Sequence, residues 1–202
     1  MGIVEDWGLG ADELNEILAT RPSLRGMLMG FLAEYRLARM FFTDARIHGL
    51  RRYDDHDRTR PGDFGFAYQG VPITLSVKSL QSHSVRRTNG GYQGTAQVDA
   101  SDRRTVRLPN GQRLDTTCLV VGGFDLLAVN IFEFGYQWRF AFAKNADLPR
   151  STYAKYTAAQ QRYLLATSVK LTWPLRPPFR DEPFTLLDEI VRTRRPLRPR
   201  RN

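Results

Sequence analysis

The chain has 202 residues, 42% hydrophobic and 25% charged, which suits one soluble domain with a sizeable core. Its single cysteine, Cys118, excludes an internal disulfide and a cysteine zinc cluster, and reads as a small buried hydrophobe. The formal net charge is +9, and no signal pattern or long apolar run is present, so the expectation is a cytoplasmic protein with no membrane segment.

The charge is uneven. Residues 192–202, RTRRPLRPRRN, hold six arginines and no acid, and removing them leaves +3 for the rest. The expected organisation is therefore a single domain over residues 1–191 and a basic, disordered tail over 192–202. Such a tail either binds a polyanion or solubilises the chain.

Taken in order, residues 11–20 carry Leu14, Ile17 and Leu18 at helical spacing, and Arg21-Pro22 ends that helix. A longer helix is predicted from about Ser23 to Phe42, with Leu24, Met27, Leu28, Phe31, Leu32, Tyr35, Ala38 and Phe42 on its apolar side. Glu34 falls at the edge of that side. A carboxylate there is either paired with a neighbouring arginine or bound to a metal. Residues 43–60 are polar. Their run Asp54-Asp55-His56-Asp57 reads as a solvated loop, with part of 46–53 extended.

Residues 61–81, PGDFGFAYQGVPITLSVKSLQ, read as a β-hairpin. Gln69-Gly70 is a two-residue turn signal. With Tyr68 opposite Val71, the register places Asp63 opposite Ser76. Alternation then puts Ser76 and Lys78 on one face. Asp63, Ser76 and Lys78 would project together from the hairpin mouth, and neither Asp63 nor Lys78 is needed to fill a core. Pro72 is the residue able to shift this register by one.

Residues 82–95 read as a mobile basic loop with His83, Arg86, Arg87 and Asn89. Strands are predicted over 95–121, with Pro109-Asn110-Gly111 as a hairpin turn, then a buried strand over 124–132 and its antiparallel partner over 137–143. A helix over 154–166, a strand over 168–173 and a last helix over 184–192 complete the order. The fold class is α/β, with α+β as the alternative, built on a mixed sheet flanked by helices.

The hairpin resembles the PD-(D/E)xK nuclease superfamily, the restriction-endonuclease-like fold, whose signature is Pro-Asp, a hairpin, then acid-x-Lys. Here it reads Pro61-Gly62-Asp63, then Ser76-Val77-Lys78. A glycine is inserted and Ser76 replaces the second acid. The helix containing AEYRLARMFF and the later strand pair extend the resemblance over about residues 24–190. The resemblance implies a metal-dependent endonuclease that cleaves DNA, in a restriction or defence role, with a homodimer cutting both strands. It implies Mg²⁺, with Mn²⁺ as a substitute, held by Asp63 and by Glu34. Lys78 would orient the attacking water, and Glu34, Gln81 or other oxygens would compensate for Ser76. Arg86, Arg87, Asn89 and Gln81 are the expected nucleic-acid contacts, of residue types suited to guanine and adenine edges. The alternative is a degenerate nuclease fold that binds DNA or RNA without cutting. No Gly-rich phosphate loop, nucleophile elbow or dinucleotide fingerprint is present, which argues against the common kinases, hydrolases and dehydrogenases.

Overall fold

Pro22 has no amide hydrogen to donate into a preceding helix, but its fixed φ suits the first turn of a new one. The computed structural model describes residues 2–53 and 62–195. In it, α1 (Ile3–Asp6) and α2 (Ala11–Thr20) precede α3, which starts at that proline (Pro22–Phe41). The strands follow: β1 (Ile47–Arg52), β2 (Phe64–Tyr68), β3 (Val71–Ser79), β4 (Arg86–Thr88), β5 (Gly91–Gln97), β6 (Asp99–Arg107), β7 (Arg113–Cys118), β8 (Leu126–Asn130) and β9 (Phe140–Lys144). Then come α4 (Ala158–Gln161), β10 (Ser168–Trp173) and α5 (Phe184–Arg194).

The central sheet has the order β1-β2-β3-β8-β9. β3 and β8 are parallel, and the other neighbours are antiparallel. The architecture is the expected mixed α/β one, a multi-strand mixed sheet flanked by helices. A three-stranded sheet, β10-β5-β4, and the β6-β7 hairpin are built from chain lying between or after the central strands.

Both faces of the central sheet are buried at β8, which is why its five residues are uniformly apolar or hydrogen-bonded. On one face, Leu75, Val77, Leu126 and Phe142 pack beneath Leu37 of α3 and Leu187 of α5. On the other, Leu127 and Val129 pack with Val98, Val169 and Leu171 of the strands beyond. Among the described residues no helix is long and apolar enough to cross a membrane.

Three expectations change. The helix expected over 154–166 shrinks to α4, because Leu164 and Leu165 are drawn into extended pairing with Val120 and Arg150 and are fully buried. The basic loop expected over 82–95 is instead a short 3-10 turn at Ser82–Ser84 followed by β4 and β5. Its period-two pattern, with Tyr92, Gly94 and Ala96 alternating against Gln93, Thr95 and Gln97, is that of a half-buried strand. The basic segment expected from 192 also begins inside α5. Arg194 reaches the Asp125 carboxylate and donates to Pro72 O at 2.7 Å, while Arg195 donates to Gln69 O. Residues 196–202, and Asp54, Asp55, His56, Asp57 and Pro61, lie outside the described residues.

α5 thereby fastens the turn end of the β2-β3 hairpin. Asp188 accepts from Tyr68 Oη at 2.9 Å and from Gln69 Nε2 at 2.8 Å. Burial and this carboxylate push the Tyr68 phenol up, so it remains a donor. A second tie joins α5 to β9, with Lys144 Nζ 2.6 Å from Glu189 Oε2. The Lys144 ammonium holds the Glu189 carboxyl below the usual range, and Glu189 raises Lys144. A lowered carboxyl contributes stability above its unfolded pKa and loses it as pH falls through the folded value. Glu189→Gln should therefore lower the melting temperature by about 2 °C at neutral pH, and the gap from the parent should close as the pH is taken down through the carboxylate range. Parallel thermal melts across pH check this.

Candidate active site at the mouth of a hairpin

Gln69 and Gly70 both have positive φ, 49° and 79°. That is the two-residue turn whose twist matches a hairpin. It sets Tyr68 opposite Val71 and Phe64 opposite Leu75, so Pro72 causes no slip. One residue further, Ser76 Oγ donates to Asp63 Oδ2 at 3.2 Å, and the Val77 amide donates to the same oxygen at 2.5 Å. The Asp63 amide donates to Leu75 O at 2.8 Å. The carboxylate thus serves as the acceptor for a strand amide.

Gly62, the residue inserted between Pro61 and Asp63, has φ +84°, and a Cβ there would sit 2.7 Å from Leu75 O. The chain must turn sharply and pass close to β3 to deliver Asp63, and only glycine does both without strain. Lys78 lies two residues past Ser76 on the same side of β3, partly exposed, with no hydrogen bond or ion pair among the described residues. Its Cα neighbour on β8 is Val129.

Glu34 projects from α3 to Arg52 at the end of β1, with Oε2 2.7 Å from Nε. Arg52 is the Cα partner of Phe64, and the Tyr53 amide donates to Asp63 O at 2.9 Å. Glu34 therefore reaches the hairpin mouth through an arginine. Arg52 and Tyr53 are residues the sequence reading passed over. Gly65 was the available sign, because a glycine between Phe64 and Phe66 in a strand marks close approach, and a Cβ there would sit 1.9 Å from Tyr53 Oη. Asp125 is occupied elsewhere, accepting from the Thr74 amide at 2.8 Å and pairing with Arg194.

Beyond Lys78 the chain enters the three-stranded sheet. Gln81 Nε2 donates to Gln97 Oε1 at 3.1 Å, and the Gln81 amide to Thr95 O at 2.9 Å. Register separates the two arginines. Arg86 pairs with Gln93, whose other neighbour is Thr172, whereas Arg87 pairs with Tyr92, whose other neighbour is Trp173, and both arginines are exposed. Asn89 occupies the turn between Thr88 and Gly91. The solvent face carries Arg86, Gln93, Thr95, Gln97 and Lys170, and a groove of about 410 Å³ runs along it past His83. Gln93, Gln97 and Lys170 were legible as the polar half of two alternating strands.

Among the described residues no three His, Cys, Asp or Glu side chains gather into a metal cluster. Asp63 Oδ2 is fixed by two donors, while Oδ1 carries no hydrogen bond among the described residues, so one carboxylate oxygen is left for a ligand. A larger cleft of about 920 Å³ lies between β9, α5 and the chain after β10, and its Lys144, Arg180 and Glu189 are already paired with one another.

No family model matches the chain, and no curated protein does. Among solved structures it is similar to a bacterial homing endonuclease, I-Ssp6803I, at 16% identity and a TM-score of 0.41, over 87% of this chain and 99% of that one.

Asp63 carries a structural load that the sequence did not reveal. Asp63→Ala leaves the Val77 amide without its acceptor and should cost about 1–3 kcal/mol, whereas Asp63→Asn keeps an acceptor oxygen and should cost less. Urea unfolding of the two variants against the parent measures the difference.

Proposed function

We propose that this chain is a metal-dependent endonuclease acting on the phosphodiester backbone of DNA. The observation that carries the reading is the Asp63 carboxylate, held at the mouth of a central hairpin by the Val77 amide and Ser76 hydroxyl, with Lys78 on the same strand and unpaired among the described residues.

Asp63 would hold the cation by its free carboxylate oxygen, and its Oδ2, anchored by Ser76 and the Val77 amide, orients the group before substrate arrives. A bound Mg²⁺ or Mn²⁺ supplies Lewis acidity at the phosphoryl oxygens and a water acidic enough to attack. Lys78 would donate to the attacking water or to a non-bridging phosphate oxygen and offset the charge that develops in the transition state. Ser76 holds Asp63 and is a positioning residue. Glu34 would serve as a second carboxylate only if a substrate phosphate took its partner Arg52.

The solvent face of β10-β5-β4 supports the choice of a polyanionic substrate. Arg86 and Lys170 suit phosphates, and Gln93, Gln97 and Gln81 suit base edges. In this reading Arg86 contacts DNA and Arg87 has the lesser role, while Asn89 acts from the turn.

Purified protein should nick or linearise plasmid DNA with Mg²⁺ and stop on chelation. Asp63→Asn and Lys78→Ala should lower the rate by about 10²- to 10⁴-fold, Lys78→Ala with an unchanged thermal melt. Unaltered cutting by both variants would remove Asp63 and Lys78 from the site. Ser76→Asp sets two carboxylates against each other, so the melt should drop in chelator and recover with Mn²⁺ beyond the parent's own shift.

A second reading, a nuclease-like fold that binds DNA or RNA without cutting, is favoured by two observations. A hydroxyl stands at Ser76, and Arg52 already neutralises Glu34. Binding without cleavage under any divalent cation would select it. For either reading, Arg86→Ala with Lys170→Ala should flatten the dependence of log affinity on log salt by about 2, and Arg87→Ala by less. Fluorescence anisotropy at several salt concentrations reads the slope. Removing residues 196–202 tests the basic end without disturbing the Arg194 and Arg195 ties.

A further inference from the structure

The first buried residue of the described chain is Ala33. Before it lie α1, α2 and the first half of α3, with no buried side chain and with Ile3, Trp7 and Met27 66%, 75% and 62% exposed. These are not scattered residues. On α3, Leu24, Leu28, Phe31 and Tyr35 follow a 4-3-4 spacing that continues through Ala38 to Phe42. The last two pack against the core and the first four are exposed. One apolar stripe therefore runs out of the core onto the exposed half of α3, where Arg52 and Arg39 lie over the Phe31 and Tyr35 rings. A spacing averaging 3.5 residues is the repeat by which helices pack on partner helices. An exposed apolar face of this extent marks an interaction surface.

Charge identifies what covers it. Residues 1–20 hold five acids, Glu5, Asp6, Asp12, Glu13 and Glu16, and no lysine or arginine. Residues 21–40 hold Arg21, Arg25, Arg36 and Arg39 against one acid, Glu34. α2 lies against α3 within the chain, yet among the described residues no ion pair joins them. Among the described residues Asp12, Glu16, Arg21 and Arg25 make no side-chain hydrogen bond. Asp12 and Glu16 on α2 and Arg21 and Arg25 at the start of α3 are thus unsatisfied and complementary, whereas Glu5 and Glu13 cap their own helices and Arg36 and Arg39 lie over Trp138 and Tyr35. A twofold axis brings the acidic α2 of one copy to the basic α3 of the other and repeats the contact in reverse, which is the requirement of an isologous interface. A nucleic acid would meet the five acids of the same arm.

We propose that the α1-α3 arm is a self-association surface whose occupant is the same arm of a second copy, with α2 of each meeting α3 of the other. This stands apart from the nuclease reading and needs none of its residues.

Sedimentation velocity of the full chain in low salt should give a species of twice the 23.2 kDa chain mass. Arg21→Glu/Arg25→Glu makes the start of α3 acidic like α2, and Asp12→Arg/Glu16→Arg leaves α2 only Glu13 as an acid and makes it net basic like the start of α3. Each variant alone should be monomeric, and an equimolar mixture should recover the dimer, because each variant then offers the charge the other lacks. Met27→Glu/Phe31→Glu should also yield a monomer. All these positions are exposed, so circular dichroism and the melting point of the isolated chain should stay those of a folded protein. A monomeric parent, variants that still dimerise, or a mixture that stays monomeric would each overturn the proposal. So would a monomeric parent that floats with phosphatidylcholine vesicles and is released by Met27→Glu/Phe31→Glu, which would assign the face to lipid.

Discussion

Everything at the candidate site depends on the register of one hairpin. A slip of one residue between β2 and β3 would turn Ser76 to the α3 side and take the Val77 amide away from Asp63. Three features prevent it. The Gln69-Gly70 turn accepts positive φ at both positions. Phe64, Phe66, Ile73 and Leu75 have a buried face to fill. α5 grips the turn from outside, through Asp188 on Tyr68 and Gln69, and through Arg194 on Pro72 and Asp125. The hairpin is fixed at its closed end and presents polar chemistry at its open end.

The same side chains carry stability and chemistry at that open end. Asp63 is fixed by hydrogen bonds that a passive structural residue would also make, and that fixing is what a metal ligand needs. The arginine beside Glu34 has a comparable double character. It offsets a carboxylate that burial would otherwise penalise. It also stands between that carboxylate and any cation until a phosphate offers the arginine another partner. Balance between these terms, and not the presence or absence of one residue, separates a cutting site from a binding one.

The molecule divides by how completely it satisfies its own surfaces. The central sheet is covered on both faces at β8, and α5 uses its Asp188, Glu189 and Arg194 on the hairpin and β9. The N-terminal arm leaves an apolar stripe exposed, with Asp12 and Glu16 of α2 and Arg21 and Arg25 at the start of α3 unpaired among the described residues. The same helix buries Leu37 and Phe42 in the core and leaves Phe31 and Tyr35 exposed, with only Arg52 and Arg39 over their rings.

The sequence by itself determined the local features. The apolar spacing gave α2 and α3, Arg21-Pro22 gave the break between them, and the period-two runs with Gln69-Gly70 gave the hairpin and its register, hence the neighbourhood of Asp63 and Ser76. These are short-range consequences of backbone sterics and side-chain alternation. Only the tertiary structure decided that Glu34 meets Arg52, that Asp125 belongs to Arg194, that Arg86 and Arg87 face opposite ways within a third strand system, and that 164–165 abandon a helix for extended pairing. Each of those outcomes sets one long-range partner against another. Local propensity differs by too little to choose between them, and burial and charge pairing across the folded chain make the choice.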